Sequence, residues 1–249
     1  MAHQELFAGT ASSLVISPIM TIIDLSILRS QLHREPLRTS LRENICHYWS
    51  HPTQFIRPCG IMFGVYSATY CTANSIEYYC RNTKHDYKIP VFIGTSAVNI
   101  LCIGIKDILY PKFIFSHFDT FHLGKTRTTI PNPTFPVLSK VLFSVRDATT
   151  IVSNFVFKKY VVEALETQSH LSFRDAELVS SFAIPAVSQI VSTPFHMLAF
   201  DVFQTPQCSA IERIQRIRAG YSSVLMGRML RTIPAFGLGG FMNDMLRKG

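Results

Sequence analysis

The sequence predicts an all-α membrane protein in which six transmembrane helices form three pseudo-symmetric helix-pair repeats around a central cavity. The first observation is composition, since 47% of the 249 residues are hydrophobic and only 16% are charged, against about 25% charged in soluble proteins. The mean hydropathy is accordingly positive, at +0.21. The second is a series of six apolar stretches of about membrane-spanning length, and the third is an internal repeat.

The repeat is visible in short motifs. The segment 9–12 (GTAS) returns as 94–97 (GTSA). Three aspartates, Asp24, Asp107 and Asp201, recur late in the odd-numbered stretches at intervals of 83 and 94 residues, close to one third of the chain. A period of this length indicates one supersecondary unit used three times. We therefore expect a single domain over 1–249 with repeats at 1–80, 86–165 and 175–249.

The six apolar stretches are 6–29, 58–79, 91–112, 136–158, 178–203 and 223–243. Each includes a few polar residues, which membrane helices tolerate when those residues face a bundle interior or a watery cavity. A soluble helical bundle is the alternative, but its helices need solvated faces rich in charge. The first stretch holds only Asp24 and Arg29 as charges, and the second only Glu77. This scarcity favours the membrane.

Proline and glycine positions predict local features of these helices. Pro18 and Pro194 lie late in the first and fifth stretches and predict helix kinks, because proline has no backbone N–H to donate. Gly60 and Gly64 form a GxxxG pattern in the second stretch, which is typical of a close-packing face.

The connectors predict the topology. The long connectors 33–57, 113–135 and 204–222 together have a net charge of +5. The short connectors 80–90 and 159–177 together have a net charge of zero. The positive-inside rule places the long connectors together on the cytosolic or matrix side, with both termini opposite. Apolar residues at helical spacing over 38–50 predict an amphipathic surface helix, and the basic connectors suit anionic lipid.

Other function classes find little support. The net charge of +8 is spread along the chain, whereas a nucleic-acid binder concentrates its basic residues. The six cysteines form no CxxC pair, and reduced buried thiols are expected. His117 and His122 flank Asp119 in a connector that offers no helical register for a metal site. With no phosphate loop or nucleophile motif visible, we predict no enzyme, metal, cofactor or nucleic-acid partner.

Three helix pairs with proline late in the odd helices resemble the mitochondrial carrier family, in the form of a divergent fungal-type member. The segment 227–236 (GRMLRTIPAF) is similar to the family's sixth helix, with Arg231 three residues before Pro234. Arg146 and Asp147 stand where many carriers of amino acids have an Arg-Asp pair. The resemblance implies that Arg146, Asp147 and Arg231 bind substrate, two guanidinium groups taking carboxylate and one carboxylate taking ammonium. An ion pair joining the fourth and sixth helices is the alternative.

The family's signature, Pro-x-acid-x-x-base, is eroded here. Met20 and His196 follow Pro18 and Pro194 at the acidic positions, and Ile103 replaces the middle proline. Three aspartates recur about one turn later. The resemblance therefore implies a displaced gating network of Asp24, Asp107 and Asp201 with Arg29 and Lys106.

The implied function is transport of a small solute, a carboxylate or amino-acid-like metabolite, by alternating access across a mitochondrial membrane. A multi-pass monomer of the inner membrane is expected, with the outer membrane as the alternative location. Because the signature is eroded, a second function stays open. It is a non-transporting protein of the same fold that acts in membrane organisation, protein insertion or protein contact.

Overall fold

The computed structural model describes residues 2–33, 35–117, 136–153 and 157–248, which are largely helical and contain no strand. This confirms the all-α class. The helices, in chain order, are α1 (Ala2–His33), α2 (Leu37–Ser50), α3 (Pro52–Asn82), α4 (Lys88–His117), α5 (Val137–Val152), α6 (Lys158–Ser169), α7 (Phe173–Gln204), α8 (Ala210–Leu230) and α9 (Gly240–Lys248). A π-helical segment, Ile233–Gly239, joins α8 to α9.

Three helices in the described residues are long and apolar enough to cross a membrane. Their candidate spans are His3–Leu32 in α1, Lys88–Ile114 in α4 and Asp175–Gln204 in α7, the three odd-numbered predicted spans. The even-numbered stretches do not qualify. The six-span, pseudo-symmetric arrangement therefore stays a prediction.

Two connectors are more helical than expected. The basic connector 204–222 is mostly helix, because α8 already begins at Ala210. There, a capping box of Ser209 and Glu212 satisfies the first free N–H groups of the helix. Much of connector 159–177 is likewise helical, in α6.

The predicted surface helix over 38–50 corresponds to α2. Its buried residues are Ser40, Asn44 and Tyr48, and Asn44 Nδ2 donates to Ser26 Oγ of α1 at 2.9 Å. Its large apolar side chains Ile45 and Trp49 are exposed. The inward side of α2 thus includes two polar side chains, and two of its large apolar side chains lie on the exposed side.

The chain forms two compact units. The first combines Met1–Leu28, Arg38–Thr129 and Pro234–Gly249, and the second combines Arg29–Leu37 with Ile130–Ile233. In the first unit α3 packs along α4. In the second, α7 is the central helix, and α5, α6 and α8 all pack against it. This division into two units does not test the predicted boundaries of the three repeats, which stay a prediction.

Glycines mark one close helix approach in the first unit. A Cβ on Gly9 of α1 would lie 3.0 Å from the backbone nitrogen of Cys71 in α3. Gly60 and Gly64 instead face open space, since a Cβ on either would have no neighbouring atom within 4 Å, so the expected GxxxG packing face is wrong. Pro18 and Pro194 both lie inside continuous helices, α1 and α7, and the kinks stay a prediction.

Candidate functional site

The buried ion pair of Arg146 and Asp147 lies in the second unit. Arg146 Nε and Nη2 lie 2.8 Å and 2.7 Å from Asp147 Oδ1. Nη1 lies 3.1 Å from Nδ1 of His196 on α7. The Arg146 side chain is only 4% exposed, and that of Asp147 is 15% exposed. A charged group is held at this depth by a partner of opposite sign and by hydrogen bonds.

Aromatic rings surround this pair. The Arg146 guanidinium carbon lies 5.1 Å from the centre of the Phe143 ring, within cation–π distance. Phe143, His196 and Phe200 contact one another with ring centres 5.0 to 5.9 Å apart. The rings lower the local dielectric, so each electrostatic interaction of the pair is stronger than it would be in water.

A second buried arginine, Arg228 of α8, contacts α7 further towards its N-terminus. Its Nε donates to Gln189 Oε1 at 3.0 Å, and its Nη2 donates to Ser192 Oγ at 3.4 Å. Ser192 Oγ also donates to Gln189 Oε1 at 3.1 Å. All three residues are buried. The sequence analysis did not select Gln189, Ser192 or Arg228, although polar residues three apart in an apolar span were a visible signal.

Arg231 is placed differently from Arg228. It is the C-cap of α8, where its N–H donates to Gly227 O at 3.0 Å, and it is half-buried. The fully buried arginine of this segment is therefore Arg228, one turn earlier. A shared site of Arg231 with Arg146 and Asp147 stays a prediction.

Residues of the predicted gating network form ion pairs within each of the two units. In the first unit, Lys106 Nζ lies 2.6 Å from Asp24 Oδ2 and 3.1 Å from Asp107 Oδ1, and all three side chains are buried. In the second unit, Arg29 pairs with Glu35 at 2.9 Å. The structure thus brings Asp24, Lys106 and Asp107 together in the first unit, and gating by the network stays a prediction.

Asp201, the remaining member, has basic partners that the network did not include. Its carboxylate accepts from Arg213 at 2.6 Å and from Arg216 at 3.3 Å. Arg213 also donates to the carbonyl oxygen of Thr205 at 2.6 Å. A side chain from the start of α8 thereby supplies a donor for a free carbonyl oxygen at the C-terminal end of α7.

A polar cluster in the first unit joins α9 to α1 and α3. Arg247 contacts Glu5 at 2.5 Å and Glu77 at 2.7 Å. Asn74 and Asn243 donate to each other's amide oxygens at 2.8 Å and 3.0 Å. These contacts hold residues from the two ends of the chain side by side.

Within the described residues, no group of three His, Cys, Asp or Glu side chains could hold a metal ion. All six cysteines are free thiols. Asp119 and His122 of the considered metal motif lie outside the described residues, as does Lys125.

Comparisons with known proteins give a match to a family model. Searches of curated proteins and of solved structures find none. The sequence profile of a family described as "Probable citrulline exporter" matches residues 8–249. This is a family of transporters by its description, and it is not the mitochondrial carrier family that the motifs resembled. The match extends over nearly the whole chain, and the chain belongs to the probable citrulline exporter family.

Proposed function

We propose that this chain exports citrulline, or a closely similar zwitterionic amino acid, across the mitochondrial inner membrane by alternating access. The family description and three helices of membrane-spanning length support export through a membrane. The mitochondrial location is supported by the carrier-like motif 227–236 alone. The observation that carries the proposal is the buried pair of Arg146 and Asp147 beside His196.

This pair has the two charges that an amino acid requires. A guanidinium binds an α-carboxylate through parallel hydrogen bonds, and a carboxylate binds an α-ammonium group. The paired state of Arg146 and Asp147 compensates both charges before substrate enters. A zwitterion can then insert between the two groups without leaving either charge buried and unpaired. In this proposal, the buried cluster of Asp24, Lys106 and Asp107 serves as part of the gate.

Transport by the reconstituted full chain tests the proposal. Proteoliposomes loaded with unlabelled citrulline should accumulate labelled citrulline, and Asp147→Asn should reduce the initial rate by at least about tenfold, because one lost charge-assisted hydrogen bond contributes about 1.5–3 kcal/mol. Lys140→Gln removes an exposed cation from the same helix and should leave the rate unchanged.

The same experiment separates the second function. Met20 and His196 occupy positions that are acidic in the carrier signature, and this erosion favours a protein that no longer transports. Folded wild-type protein without uptake of citrulline, other amino acids or carboxylates would support membrane organisation or protein contact instead.

A further inference from the structure

One face of α7 carries polar residues that contact two different helices. Gln189, Ser192, Thr193 and His196 are spaced by three, four and seven residues, which places them on the same side of a helix. All four are buried. Arg228 of α8 contacts the Gln189 end, and Arg146 of α5 contacts the His196 end. Both contacts lie within the second unit.

Thr193 lies between the two arginine contacts and has an unusual hydroxyl. Its side chain is 0% exposed, and Oγ1 has no hydrogen-bond partner in the described part of the chain. A helical threonine normally donates to the carbonyl four residues earlier, as Thr21 does to Ser17 O at 2.7 Å. A buried hydroxyl without a partner costs stability. The cost is offset when a ligand supplies the missing bond.

We infer that Gln189, Ser192, Thr193 and Arg228 form a second subsite, which binds the uncharged ureido or amide end of the substrate. The inference rests on the proposed function, in which Arg146 and Asp147 hold the amino-acid end. When the substrate binds, Arg228 donates to the ureido oxygen, which replaces the neutral acceptors Gln189 Oε1 and Ser192 Oγ. The ureido NH₂ donates to Thr193 Oγ1, which has lone pairs to accept it.

The spacing of the two ends agrees with this assignment. Ser192 and His196 are four residues apart, which corresponds to about 6 Å along the helix axis. The α-carbon and the ureido carbon of citrulline are separated by five bonds, about 6 Å when extended. An amino acid with a side chain of this length can therefore reach both subsites at once.

The subsite also discriminates by charge. The buried guanidinium of Arg228 only donates hydrogen bonds, and a cationic side-chain end also only donates, so such an end offers Arg228 no acceptor in place of the ureido oxygen. An amino acid with a cationic side-chain end, such as ornithine or arginine, should therefore be rejected. Citrulline and arginine have similar length and shape, so the comparison between them isolates the charge.

Uptake of labelled citrulline and labelled arginine by proteoliposomes containing the full chain tests the subsite. Wild type should prefer citrulline by at least about tenfold in kcat/KM, and Arg228→Gln should reduce that ratio by about tenfold. Thr193→Val should raise the KM for citrulline by about threefold or more. Its thermal stability should be unchanged or higher, because valine keeps the packing and removes a buried hydroxyl that has no partner among the described residues. Ser181→Ala is the matched control, since it deletes an α7 hydroxyl that donates to Glu177 O and should alter neither value.

The outcomes are distinguishable. Normal citrulline uptake with an unchanged selectivity ratio in Arg228→Gln and an unchanged KM in Thr193→Val would overturn the subsite and leave the proposed function intact. No uptake of either amino acid by folded wild type would overturn both. If Arg228→Gln does not fold, the KM of Thr193→Val decides alone.

Discussion

Lys106 illustrates how single residues carry charge inside an apolar helix bundle. Its ammonium group contacts Asp24 and Asp107 at 2.6 Å and 3.1 Å, and Nζ also lies 5.2 Å from the centre of the Tyr110 ring. Burial costs each ion several kcal/mol, and this cost is compensated only while the partners stay in place. Removing one member therefore destabilises more than the intact cluster stabilises.

Replacement of this lysine is a direct test. Lys106→Met should lower the free energy of unfolding by about 3–5 kcal/mol, because it leaves two buried carboxylates without their shared cation. Denaturation of the purified protein in detergent, followed by helical circular dichroism, measures the change. Lys112→Met removes an exposed lysine from the same helix and should cost less than about 0.5 kcal/mol. Equal stability of the two variants would contradict the burial argument.

Sequence reasoning reached the residues of the candidate site only in part. Arg146 and Asp147 were predictable, because adjacent opposite charges are conspicuous in an apolar span. Arg228 and Gln189 were missed although polar residues in an apolar span are a visible signal, because their contact depends on how α8 is rotated against α7. Glu35, the partner of Arg29, was missed for a similar reason: it lies beyond the end of α1, outside the span itself.

At the scale of elements, the close approach of α1 and α3 depends on Gly9. Gly9→Ala should destabilise the protein by about 1–3 kcal/mol, because the new methyl group meets the backbone of Cys71, which cannot move aside as a flexible side chain can. Gly64→Ala is the matched control, since it lies in open space, and higher helix propensity should stabilise it by up to about 1 kcal/mol. Thermal denaturation should give shifts of opposite sign. A stabilised Gly9→Ala would show that the two helices do not meet there.

The start of α8 should respond to acid. The Cys208 thiol donates to Glu212 Oε2, and the Ser209 N–H donates to the same carboxylate, so these hydrogen bonds lower the pKa of Glu212 below its ordinary value of 4.5. A lowered pKa in the folded state stabilises the helix above pH 4.5, and this contribution is lost as the pH falls through the folded-state pKa.

Helicity of a peptide spanning this capping box and α8, measured by circular dichroism in micelles, should accordingly decrease on acidification. Glu212→Gln should remove that part of the pH dependence. An identical pH profile for the two sequences would exclude Glu212 as the responsible group.

The element boundaries show which signals were read and which were missed. The spans containing α1, α3, α4 and α7 were predictable as helices, because long apolar runs with few breaks have little other means of satisfying their backbone. The start of α8 was missed although Ser209 and Glu212 form a capping-box pattern, because the basic residues that follow were interpreted as a loop. The π-helical segment Ile233–Gly239 has no sequence signal that we can name beyond Pro234 and its glycines.

At the scale of the whole molecule, charge distribution predicts the orientation in the membrane. The basic segments around Arg42 and Arg216 should share one side, with both termini on the other, because positive residues are retained on the cytosolic or matrix side. Epitope tags at these two segments and at each terminus, tested by protease protection in mitoplasts, measure this directly. Opposite accessibility of the tags at Arg42 and Arg216 would contradict the prediction.

The contact between Glu5 and Arg247 has a consequence for the expected number of membrane crossings. Because their side chains touch at 2.5 Å, we expect both residues at the same membrane surface, with an even number of crossings between them. The three apolar spans of α1, α4 and α7 are an odd number. If all three cross the membrane, we expect an odd number of additional crossings from less apolar helices, whose polar faces would be shielded from lipid by protein or by water. We expect such shielded helices to form the walls of a solute pathway.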